Sequence, residues 1–79
     1  MLKEHYLTED WPQVLDNIQV MLDGSVALLN MAENAEFSSK TEHIAKIKQA
    51  ADIVHALNRK KIDRDIDSQA NEYLRRYMF

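Results

Sequence analysis

The chain has 79 residues with one glycine, one proline and no cysteine, and a formal net charge of −3. So short a chain holds one domain and leaves much of its apolar surface uncovered unless it pairs with another chain, while an apolar content of 46% is too high for disorder. The shortage of glycine and proline leaves few residues for tight turns and favours helices over strands, and without cysteine there is no disulfide framework, thiol nucleophile or thiolate metal site.

Residues 1–9 show no sustained period and read as an N-terminal arm, with Leu2, Tyr6 and Leu7 able to dock on a bundle. They lack the uninterrupted apolar core of a signal peptide. No window nears the roughly 20 apolar residues of a membrane span, so the expected location is cytoplasmic. Charge is divided along the chain. Residues 1–39 carry one lysine against seven acids, and residues 40–79 carry nine Lys and Arg against six acids. The halves attract, which favours an antiparallel arrangement within one chain or between two.

The stretch from Asp10 to Glu36 is the organising element. Val14, Leu15, Ile18, Met21, Leu22, Leu28, Leu29, Ala32 and Ala35 recur at intervals of three and four, which predicts an amphipathic helix over 11–35. Its start is marked by Asp10 as N-cap, Pro12 in the first turn and Gln13 completing a capping box. Trp11 is expected to pack on a neighbouring helix end or to serve as an exposed hot spot for a partner. Gly24 implies tolerance, a bend or the close approach of another backbone, since a mid-helix glycine costs about 1 kcal/mol against alanine. A helix end near Asp23, with Ser25 capping a second helix, is the alternative.

The pattern lapses after Ala35, and a turn at 36–39 precedes a second start, with Ser39 and Glu42 as a further capping box. Ile44, Ile47, Ala50, Ala51, Val54 and Leu57 then form a second stripe, which predicts a helix over 40–60 antiparallel to the first. Residues 62–78 read either as its continuation or as a third helix. Ile62, Ile66, Ala70, Tyr73 and Tyr77 stay in phase with Val54 and Asn58, with no glycine or proline between. Against this, the cations Arg59, Lys60 and Lys61 followed by Asp63, Asp65 and Asp67 suit a helix end and a new start.

Chemistry-bearing groups are sparse. The serines and threonines sit mostly where caps and turns explain them. Asp52 and His55 have the spacing of a helical ligand pair, but one pair cannot fill a metal's coordination shell, so no metal and no cofactor are expected. Arg59, Lys60, Lys61 and Arg64 could contact phosphates, although the three Asp residues among them point to a self-neutralised helix face. The aromatic C-terminal stretch beside Arg75 and Arg76 has the composition of an interface.

These features predict an all-α protein, an antiparallel helical hairpin with a long or folded-back C-terminal helix, giving two long helices or a three-helix bundle, and dimeric. The expected function is non-catalytic: an adaptor, co-chaperone or regulator acting on a protein partner through helical faces, with Trp11, Ile62, Ile66, Tyr73, Leu74 and Tyr77 as contact residues. The rival is a dimeric nucleic-acid-binding regulator that uses Arg59, Lys60, Lys61 and Arg64. No membrane association is expected.

Overall fold

The structure, a computed structural model, describes residues 2–78, and the side chains of residues 2–68. It is all-α. A short helix α1 (Leu2–His5) and a 3-10 turn (Thr8–Asp10) lead into α2 (Trp11–Asn34), and α3 (Lys40–Met78) returns alongside it. The two long helices pack against each other as a hairpin with extents of 67 × 18 × 14 Å.

The line of contact is more regular than the sequence stripe. Along α2 it comprises Val14, Asn17, Met21, Gly24, Leu28 and Met31, all buried or half-buried, at alternating intervals of three and four. Along α3 the same alternation gives His43, Ile47, Ala50, Val54, Leu57 and Lys61. An average repeat of 3.5 keeps both rows facing each other, the spacing of a coiled coil. Val14, Met31 and Ala50 are the buried apolar residues of this seam. Gly24 lies in it, too, and α2 passes through Asp23 and Ser25 without a break. The Ser25 hydroxyl donates back to the Met21 carbonyl at 2.8 Å, so it caps no second helix.

Helix α2 ends at Asn34, with Ala35 in the left-handed region at φ 51° and ψ 38°. The Glu36 amide reaches back to the Met31 carbonyl at 3.0 Å, which satisfies one of the carbonyls left open at the helix end. In the loop the Ser38 amide donates to the Glu36 carboxylate at 3.1 Å. Bonding from the Ser38 side chain, and then from its backbone, holds the Glu36 carboxyl below the usual carboxylate range.

Both expected capping boxes are corrected. The Asp10 carboxylate makes no bond to the first turn of α2. It is buried, and its Oδ1 accepts from Lys60 Nζ at 3.1 Å, a long-range ion pair in place of a cap. At the second start the Glu42 carboxylate faces Lys46 one turn on, at 3.2 Å, and the Ser39 carbonyl accepts from the His43 amide at 3.2 Å. The folded-back third helix is replaced by a continuous one, since α3 runs through the cluster at 59–67.

Helix α3 is much the longer. At 1.5 Å per residue α2 spans about 36 Å and α3 about 58 Å, so α3 projects beyond the start of α2. The N-terminal arm covers the first part of this projection. Asn58 Nδ2 donates to the His5 carbonyl at 2.9 Å, Arg64 Nη1 to Glu9 Oε1 at 2.9 Å, and Trp11 Nε1 to the Tyr6 carbonyl at 3.3 Å.

Candidate interaction surface

One helix neighbour does not satisfy the apolar face of α2. Leu15, Ile18, Leu22, Val26 and Leu29 all stay exposed, with Leu22 at 56% and Leu29 at 64%. The single stripe read from the sequence is therefore two adjacent edges. Val14, Met21 and Leu28 belong to the edge against α3, and Leu15, Ile18, Leu22 and Leu29 lie about 100° further round. Helix α3 repeats the arrangement: Ile44, Ala51 and Ile62 are exposed, again about 100° beyond the contact row. Because the helices run in opposite directions, a rotation of the same sense along each sequence brings both edges to the same broad side of the hairpin. On that side α2 presents a continuous apolar edge, and α3 adds Ile44, Ala51 and Ile62 interleaved with the exposed Lys48 and His55.

The expected contact residues fall in different places. Trp11 is half-buried against the arm, and its helical position puts it on the same side as Ile18 and Leu29. Ile62 and Ile66 are exposed at 47% and 57% on the part of α3 beyond α2. Tyr73, Leu74 and Tyr77 lie outside the described side chains. Leu15, Ile18, Leu22 and Leu29 went unmarked as contact residues because the sequence stripe assigns them to the intramolecular seam.

The basic cluster is largely engaged with carboxylates. Lys60 lies between Asp10 at 3.1 Å and Glu9 at 3.9 Å, Arg64 pairs with Glu9 at 2.9 Å, and Lys61 pairs with Asp65. Among the described residues Arg59 is the member of the cluster without an ion pair. The adjoining open concavity is lined by Ala56, Arg59, Lys60, Asp63, Arg64 and Asp67, a lattice of both signs. Lys60 and Arg64 thus fix the arm to α3. The sequence signal for this was the attraction between the acidic first half and the basic second half. One carboxylate oxygen, Asp10 Oδ2, is buried with no partner.

His55 is exposed and Asp52 pairs with Lys48 at 2.7 Å. The hydrogen bond to Asp52, reinforced by its charge, pushes the Lys48 ammonium above its ordinary value. Among the described residues no three potential metal-ligating side chains gather, and no helix is long and apolar enough to cross a membrane. Comparison with known protein families, curated proteins and solved structures returns no match to this chain.

Proposed function

We propose that the chain is a non-catalytic interaction module, an adaptor, co-chaperone or regulator, that works by presenting the apolar side of its hairpin to another protein chain, and that it self-associates through helical faces. The observation that supports this is the row Leu15, Ile18, Leu22, Val26 and Leu29, exposed along the length of α2. Contiguous apolar surface of this extent on a small protein marks a contact site, whereas scattered exposed leucines would not. The rival nucleic-acid reading draws no comparable support, because Lys60, Lys61 and Arg64 are already paired with carboxylates. A phosphate would have to displace them.

The test is a comparison of three tagged chains in native extract: wild type, Leu22→Glu with Leu29→Glu, and Val20→Glu on the opposite side of α2. Proteins retained by wild type and Val20→Glu but lost from the Leu22/Leu29 variant support the reading. Equal retention by all three refutes it. Titration with generic duplex DNA at low salt decides the rival: tight, steeply salt-dependent binding, lost with Arg59→Gln and Arg64→Gln, would replace the interaction reading.

A further inference from the structure

The hairpin exposes more surface than a chain of its size should. A folded monomer of 9.2 kDa is expected to expose about 4,900 Å², and this chain exposes 6394 Å². The excess, about 1,500 Å², includes the projecting end of α3 and leaves room for the roughly 800 Å² that each partner contributes to a standard interface. The apolar side has the matching footprint. It is about 36 Å long, the length of α2, and up to 18 Å wide, which gives a flat projection of about 650 Å² before side-chain relief is counted.

Charge then separates the two ways in which a second hairpin can cover that side. Helix α2 carries Asp16, Asp23 and Glu33 and no lysine or arginine, whereas α3 carries nine Lys and Arg against six acids. Packing α2 on α2 and α3 on α3 would set like against like. Packing α2 of each copy on α3 of the other sets an acidic helix beside a basic one on both sides of the bundle.

We propose that the occupant of the apolar side is a second copy of this chain, related by a two-fold axis parallel to the hairpin, so that α2 of each copy packs on α3 of the other in a four-helix bundle. The proposal rests on reading that side as a contact surface and commits it to one partner. Such an axis preserves height along the bundle, and heights within one hairpin are set by Gly24 beside Ile47 and Asp10 beside Lys60. Ile18 then comes near the height of the partner's Ala51, and Trp11 and Leu29 come within about one turn of the partner's Ile62 and the partner's Ile44. Trp11, Ile18 and Leu29 thus each come near an apolar residue of the partner's α3 edge. Neighbouring helices are antiparallel throughout, the usual geometry of such bundles. The two α3 extensions beyond the arms also leave the bundle at the same end, from diagonally opposite corners.

The chain holds no cysteine of its own, so introduced thiols report without background. Sedimentation equilibrium of the wild-type chain comes first, followed by mild oxidation of Ile18→Cys alone, Ala51→Cys alone and an equimolar mixture of the two. The expected results are a mass twice 9.2 kDa and a disulfide-linked product of one Ile18→Cys and one Ala51→Cys chain, formed at least tenfold faster than either self-linked product. A wild-type mass of 9.2 kDa at all concentrations overturns the proposal. So does faster self-linking of Ile18→Cys, which would place α2 on α2. A monomer that still loses its captured proteins on Leu22→Glu with Leu29→Glu would remove the second copy but leave the apolar side as a contact surface for another protein.

Discussion

A Cβ built on Gly24 would lie 2.6 Å from Ile47 Cγ1 and 3.0 Å from its Cδ1. The glycine is the hollow into which the isoleucine of the opposite helix fits, and His43 follows closely, its carbonyl oxygen 3.7 Å from the same point. The helix cost of about 1 kcal/mol is thus accepted for a closer seam.

Gly24→Ala should therefore destabilise the protein even though alanine is the better helix former. Overpacking costs about 1–3 kcal/mol and the propensity gain returns about 1, so a net loss of up to about 2 kcal/mol is expected. The sign should reverse in an Ile47→Ala background, where the hollow is empty. A double-mutant cycle by urea denaturation measures this coupling, and additivity of the two changes would disprove the fit.

At the other end of α2, Ala35 adopts φ 51° to close the helix. A left-handed residue with a Cβ costs roughly 1–2 kcal/mol, of which glycine recovers the steric part and returns some as chain entropy. Ala35→Gly should raise stability by about 0.5–1 kcal/mol, and an increase in the urea midpoint at unchanged slope would show it.

The helical class, the turn and the phase of the long helices are legible in the sequence because each depends on local signals. Ser38 and Ser39 interrupt the apolar period, and nothing between Val54 and Ile66 terminates a helix. Which apolar residues face inward is a different kind of question. Val14 and Leu15 are adjacent, about 100° apart, and both suit a core, so only the position of α3 decides that the first is buried and the second exposed. Asp10 is ambiguous for the same reason. A carboxylate before Trp-Pro suits an N-cap, and its actual partner, Lys60, lies on another helix. Sequence pattern carries periods and turns well, and caps that compete with long-range pairing poorly.

The arm depends on that pairing. Glu9 and Asp10 hold it to Lys60 and Arg64, and the cations remain partly exposed, with the Lys60 side chain at 44%. Ion pairs of this exposure contribute up to about 1 kcal/mol and weaken with salt. Glu9→Gln with Asp10→Asn should lower global stability by about 1–2 kcal/mol, since both acids of the cluster go and Asp10 is buried. It should nevertheless release the arm: the Tyr6 amide, bonded to the Leu2 carbonyl at 2.9 Å, should exchange with solvent several-fold faster, and 1 M salt should reproduce this in the wild type. Unchanged exchange would mean that Leu2 and Leu7 hold the arm without the charges.

The loop makes a pH prediction of definite sign. Because the Glu36 carboxyl is lowered in the folded chain by Ser38, its contribution is present above the ordinary carboxylate range and is lost as pH falls through the lowered value. Ser38→Ala removes the hydroxyl, the larger cause, and keeps the backbone donor. An NMR titration of the Glu36 side-chain carboxyl should show the midpoint rising toward the ordinary value in that variant but remaining below it. An unchanged midpoint would refute the hydroxyl's part.

The exposed edge of α2 supplies the sharpest contrast between two substitutions of the same chemistry. Leu22 lies on the apolar side and Val20, 40% exposed, lies about 160° away around the helix. Leu22→Asp loses about 0.5 kcal/mol more helix propensity than Val20→Asp, so a difference beyond that reports what covers each side. If a partner chain covers the first, Leu22→Asp buries an unpaired charge and should weaken association at least tenfold, about 1.4 kcal/mol, with a loss of helicity at low concentration. Val20→Asp should leave the association constant within about twofold, because surface substitutions away from contacts fall within about 0.5 kcal/mol. Sedimentation equilibrium on the two variants separates these outcomes, and equal weakening by both would mean that the association surface wraps α2 instead of following one side.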